Sequence, residues 1–118
     1  MISKEQVTTW VDGYLRAWRT NEADDVAAIF SEDATYYARP QQEPWRGRQQ
    51  IVQEWLSRKD YQVNWTFEWS LVAIEDDRAV IEGIAVYAQA GTFANVWVIT
   101  LDNDGKCIEF REWLDRVS

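Results

Sequence analysis

The apolar residues of this chain change their spacing near Tyr61. Before it they recur at three- and four-residue intervals, and after it at every second residue, so a helical first half precedes a sheet-forming second half. Ser3 and Gln6 have the spacing of a capping box, and Val7, Trp10, Val11, Tyr14, Leu15 and Trp18 then form one helical stripe, predicting a first helix to about Thr20. Asn21 is expected to cap a short second helix with Asp24 and Asp25 in its first turn and Val26, Ala27, Ile29 and Phe30 on its buried side, ending near Ser31-Glu32-Asp33. A brief β-prone run, Ala34-Thr35-Tyr36-Tyr37, leads into a loop punctuated by Pro40, Pro44 and Gly47. A third helix follows Gly47, with Ile51, Val52, Trp55 and Leu56 on one side and Arg48, Gln49, Gln53, Arg58 and Lys59 elsewhere.

Four long strands are predicted beyond it. The first, residues 62–74, puts Val63, Trp65, Phe67, Trp69 and Leu71 on one face. The second, residues 78–89, carries Ala79, Ile81, Gly83, Ala85 and Tyr87 opposite Val80, Glu82, Ile84 and Val86. The third sets Phe93, Asn95, Trp97, Ile99 and Leu101 against Ala94, Val96, Val98 and Thr100. The first strand is half-buried, with Asn64, Thr66, Glu68 and Ser70 on its other face, but the second and third are apolar on both faces, and three helices cover only one, so the outer face is expected to meet a second copy of the chain as a homodimer. Helices first and antiparallel strands second give an α+β fold.

The last strand, residues 106–115, follows the turn Asp102-Asn103-Asp104-Gly105 and places Ile108, Phe110, Glu112 and Leu114 on one face. A carboxylate among apolar neighbours needs a partner, a proton or a wet cavity. Glu112 is therefore the candidate acid or base. The alternative is a satisfied core carboxylate, with Tyr14 hydrogen-bonded to Glu112.

Composition narrows the chemistry. At 118 residues the chain has the size of one domain, residues 1–118, and 47% hydrophobic residues with eight Trp exclude a disordered chain. A net charge of −8 is the wrong sign for nucleic acid or an anionic membrane surface. One Cys allows no internal disulfide, and without His the imidazole metal sites are excluded, so neither metal nor cofactor is expected. Proton transfer is left to Asp, Glu, Tyr and Lys. The N-terminal residues show no apolar run, and a cytoplasmic location is expected.

The run Ala28-Ile29-Phe30-Ser31-Glu32-Asp33-Ala34-Thr35, the step Pro44-Trp45-Arg46-Gly47, the strand Asn95-Val96-Trp97, and the ending from Asp104-Gly105-Lys106 to Phe110-Arg111-Glu112-Trp113 resemble the nuclear transport factor 2-like superfamily in its SnoaL-like branch. The resemblance spans nearly the whole chain. It implies a cone, helices packed into a strongly curved antiparallel sheet, with a small-molecule cavity at the open end and usually a homodimer through the sheet. Superfamily enzymes include ketosteroid isomerase, polyketide cyclases, scytalone dehydratase and limonene epoxide hydrolase. Aligned on Phe30 and the Gly105-Lys106 turn, Tyr14 falls where the isomerase has its oxyanion-binding tyrosine. The isomerase's basic Asp corresponds to Ala38 or Arg39 before Pro40, and its protonated Asp corresponds to Trp97, so that route to enolisation is not supported. The dehydratase depends on His, which is absent, and the epoxide hydrolase's Asp-Arg-Asp set has no counterpart.

The expected polar floor of the cavity is thus Tyr14, Asn95 and Glu112, with Trp97, Tyr87, Phe110, Leu114, Tyr37 and Trp18 expected to contact ligand. Arg39, Arg46 and Arg48 flank the loop at the expected mouth, Trp45 is a lid or a loop anchor, and Glu82 lies on the expected dimer face. Two readings remain open. One is a small-molecule-binding protein, an isomerase, cyclase or hydrolase working by proton transfer on an apolar oxygenated ligand. The other is a non-catalytic binding or dimerisation module.

Overall fold

A computed structural model describes residues 1–39, 42–58 and 64–118. Pro40, Lys59, Tyr61, Gln62 and Val63, placed above in a loop, a helix and a strand start, lie outside the described residues. Helix α1, Lys4–Thr20, begins on the expected capping box: the Gln6 amide N–H donates to Ser3 Oγ at 3.1 Å and the Ser3 amide N–H to Gln6 Oε1 at 2.8 Å. Its buried stripe is Val7, Trp10, Val11, Tyr14 and Ala17. Asn21 closes this helix rather than opening the next. Its backbone adopts the left-handed conformation, φ 51°, that asparagine tolerates at a helix end, and its N–H returns to the Ala17 carbonyl. Glu22 holds the N-cap position of α2, Ala23–Ala27.

Phe30, expected on the buried side of that helix, instead begins strand β1, Phe30–Tyr37. The cause is tertiary. β1 lies parallel to the last strand, and the Cys107 amide N–H donates to the Ile29 carbonyl, so the backbone is extended well before the β-prone run at Ala34. A two-residue strand β2, Trp45–Arg46, pairs with β1, and α3 spans Arg48–Ser57. The four long strands follow as β3, Trp65–Glu75, β4, Arg78–Tyr87, β5, Gly91–Leu101, and β6, Cys107–Arg116.

The strands form one curled, unclosed sheet in the order β2-β1-β6-β5-β4-β3. It is mixed rather than wholly antiparallel, because β1 and β6 run parallel. The inner face and α1 bury Phe30, Ile81, Trp97, Ile99, Leu101, Cys107 and Phe110 completely or nearly so. A bulge in β6 moves Ile108 off this face: Cys107 sits opposite Leu101 and Glu109 opposite Thr100, so two successive side chains point outward before Phe110 turns in. Gly83 admits another close contact. The Phe67 ring lies where a Cβ would stand and stacks on Trp97 at 5.0 Å. On the outer face Ile84, Val86, Val96 and Trp113 remain 39–43% exposed, and Glu82 is exposed with them.

Candidate functional site

At its open end the sheet and the helices enclose a cavity of about 700 Å³. Tyr14, Trp18, Tyr87, Asn95, Trp97, Glu112 and Leu114, all expected at the site, line it. Two expected residues do not. Phe110 is fully buried beneath the floor, stacked on Tyr14 at 5.5 Å and Tyr36 at 4.5 Å, and so supports the lining without forming it. Tyr37 points the opposite way from Tyr36, as alternation along β1 requires, and its ring carries the Arg111 guanidinium at 4.0 Å on the outer side.

Tyr36, Trp45, Trp55, Phe93, Asn21 and Arg58 complete the walls, together with two alanines. Tyr36 was detectable in principle, since Ala34 and Tyr36 are alternate buried residues of a strand that also begins on buried Phe30. Trp45 stacks on Tyr36 at 4.6 Å with the planes 12° apart and lines the cavity in that position. Arg39, Arg46 and Arg48 stay out of the cavity, Arg46 pairing with Glu43 at 3.7 Å. Among the described residues the cation at the rim is Arg58, bonded to Glu54 at 3.1 Å and 5.7 Å from the Trp45 ring centre.

Glu112 stands directly opposite Trp97 in the β5–β6 ladder, so both side chains occupy the inner face. The Trp97 indole N–H donates to Glu112 Oε2 at 2.8 Å. No other hydrogen bond or ion pair reaches this carboxylate among the described residues. Burial among rings disfavours the ionised form more than the indole bond favours it, and pushes the carboxyl up to about 7. What remains exposed of this half-buried side chain faces the cavity, so a neutral, water-excluding ligand would move it further in the same direction.

The expected Tyr14–Glu112 hydrogen bond is replaced by a tyrosine pair. The Tyr14 and Tyr36 hydroxyls are 3.0 Å apart, and burial above all, with Glu112 nearby, holds both well above the usual phenol value, while their mutual hydrogen bond raises Tyr14 and lowers Tyr36. Both are neutral near pH 7, and one mutual hydrogen bond leaves one O–H proton to donate elsewhere. Asn95 is buried and donates Nδ2–H to the Phe93 carbonyl of its own strand at 3.2 Å, not to Glu112. The site therefore unites an acid titrating near neutrality with a neutral hydroxyl donor in an aromatic enclosure. Among the described residues, no group of three or more Cys, Asp or Glu is placed to hold a metal, and no helix is long and apolar enough to cross a membrane.

A helix-filled, curled sheet opening onto a cavity of this size defines an NTF2-like cone. The chain belongs to the SnoaL-like domain family, whose model matches residues 11–110. Among solved structures it is similar to SalBIII, an epoxide hydrolase/cyclase-like enzyme with a role in pyran ring formation in the polyether salinomycin (20% identity, 98% of this chain and 95% of that one, TM-score 0.76). An NTF-2 like protein of unknown function from Burkholderia xenovorans LB400 matches with 16% identity, 98% and 87% coverage and a TM-score of 0.76. An LEH-like epoxide hydrolase of M. tuberculosis matches with 19% identity, 94% and 84% coverage and a TM-score of 0.62. No curated protein matches the sequence.

Proposed function

We propose that this chain is an enzyme of the SnoaL-like type that binds an apolar, oxygenated small molecule in its cavity and moves a proton with Glu112. The observation that carries this reading is the carboxyl itself, set in an aromatic cavity with the Trp97 indole as its one partner among the described residues and titrating at about 7. An acid or base works best when its pKa lies near the working pH. In this reading the Tyr14–Tyr36 hydroxyl pair holds a substrate oxygen, Trp97 fixes one carboxyl oxygen of Glu112, and the other faces the reacting atom. Trp18, Tyr87 and Leu114 line the ligand's path, and Asn95 shapes the floor. The resemblance to an epoxide hydrolase/cyclase-like enzyme and an epoxide hydrolase supports isomerisation, cyclisation or ring opening as reaction classes to test.

The chain acts as one unit, residues 1–118, in the cytoplasm and as a homodimer through the apolar outer face of β4, β5 and β6. Replacing Ile84 and Trp113 together by Lys should convert the dimer to monomer in analytical ultracentrifugation. A wild-type chain that sediments as a monomer at micromolar concentration would exclude that assembly.

The first experiment follows tryptophan fluorescence while carbonyl, phenol and epoxide compounds are titrated, and then assays turnover of those that bind. Glu112→Gln should abolish turnover and leave affinity within a few-fold, and unchanged turnover would remove Glu112 from the chemistry. One observation favours a non-catalytic binding module: no carboxylate stands at Ala38 or Arg39, where the isomerase has its base. Saturable binding of a compound class with no turnover by the wild type would establish that reading.

A further inference from the structure

The cavity walls are unusual in what they lack. Among the described residues fifteen line the cavity, of which eight are aromatic, and Leu114, Ala85 and Ala90 are the only aliphatic ones among them. A pocket for a neutral hydrocarbon body is served equally well by Leu, Ile and Val, which this chain uses freely elsewhere in its core. Aromatic faces differ from aliphatic walls in carrying partial negative charge, which attracts cations. Into this enclosure the sheet projects one carboxylate, Glu112, that no Lys or Arg meets among the described residues.

The rings beside the cavity already hold cations where the protein supplies them. The Arg58 guanidinium lies 5.7 Å from the Trp45 ring centre at the rim, its charge met by Glu54. The Arg19 guanidinium sits 4.8 Å from Trp65, which stacks at 3.9 Å on lining Trp18. Among the described residues, rim rings and rim cations are matched, whereas the floor has rings and a carboxylate without a cation.

We infer that the cavity takes an organic cation, a molecule whose ammonium group is met by the Glu112 carboxylate and flanked by the faces of the surrounding rings. This rests on the reading of the cavity as a small-molecule site, and does not depend on turnover. The net charge of −8 would steer such a ligand toward the protein. A bound cation holds Glu112 ionised, which assigns it the role of base rather than acid in any proton transfer that follows.

Proton linkage separates this from neutral-ligand binding. Among the described residues, the titratable groups lining the cavity with Glu112 are Tyr14 on α1, Tyr36 on β1 and Tyr87 on β4, with Arg58 just past the end of α3, and β5 contributes none. Tyr14 and Tyr36 stay neutral through the neutral range, so Glu112 carries the linkage there. Cation binding should release a proton from Glu112, and a neutral ligand should draw one in.

The test uses benzyltrimethylammonium and its uncharged carbon isostere neopentylbenzene, titrated calorimetrically in buffers of different ionisation heat. The ammonium compound should bind about tenfold tighter than the isostere at about pH 8 and lose most of that advantage at about pH 5.5, releasing protons in between. Glu112→Gln should remove the advantage and leave the isostere's affinity within about twofold. Equal or tighter binding of the isostere, or proton uptake with the ammonium compound, overturns the inference while leaving the cavity a small-molecule site. Binding of neither overturns both readings.

Discussion

The two halves of β6 are built for different purposes. From Cys107 to Arg111 the strand lies between β1 and β5, and Cys107 and Phe110 are fully buried. From Glu112 onward β5 is its only strand neighbour among the described residues, and residues 113–116 are exposed. The change comes at Tyr37, where β1 ends opposite Arg111 and the inner face opens onto the cavity. One strand thus supplies core and then site, with Glu112 as the first inward residue past the end of its second neighbour. That position gives the carboxyl walls on several sides and an opening on one.

The contrast should be plainest in stability. Phe110→Ala, within the doubly flanked half, should cost about 3–5 kcal/mol in urea unfolding, while Leu114→Ala should cost under about 1 kcal/mol and act instead on ligand affinity. Equal costs would show that the two halves do not differ as described.

Glu112 should give the next largest effect, with a sign that depends on pH. Its folded carboxyl titrates at about 7, above the ordinary 4.5, so the folded chain holds a proton that the unfolded chain has lost between those values. The stabilisation is fully present below about pH 4.5 and is lost as the pH rises through about 7. Glu112→Gln should flatten that decline and leave the variant more stable than wild type above neutrality, by up to about 3 kcal/mol. Parallel curves for the two proteins would place the carboxyl in water.

Smaller effects should mark the β1 side of the junction. Tyr36 lies opposite Phe110 in the parallel ladder and Tyr37 opposite Arg111. Tyr36→Phe breaks the 3.0 Å hydroxyl pair and should cost about 1 kcal/mol and weaken binding of oxygenated ligands. Tyr37→Phe should stay within about 0.5 kcal/mol and leave the fluorescence titration unchanged, and a changed titration would mean that Tyr37 reaches the cavity.

Much of this arrangement was legible from spacing alone. The capping box, the α1 stripe and the inner faces of β4 and β5 follow from local periodicity, which burial only amplifies. The inward aim of Glu112 follows likewise, because alternation runs unbroken from Phe110. The remainder depends on contacts distant in sequence. Tyr36 becomes the partner of Tyr14, and Phe30 leaves the helix for a strand, because β1 pairs with a strand over seventy residues further on. Spacing also gives no sign of how far a face stays covered, so Phe110 and Leu114 read alike although one is sealed and the other open. Nor did it reveal the bulge, which took Ile108 off the expected face.

That bulge makes the strand unequally tolerant of changes in length. Deleting Ile108 would restore simple alternation between Cys107 and Phe110, leaving both inward and the acid where it is. Deleting Arg111, three positions on, would reverse every later side chain, turning Glu112 to the outer surface and Trp113 into the cavity. Among descendants of this gene, one lost codon in the last strand would be nearly silent, and another would exchange an acid for an indole without any substitution.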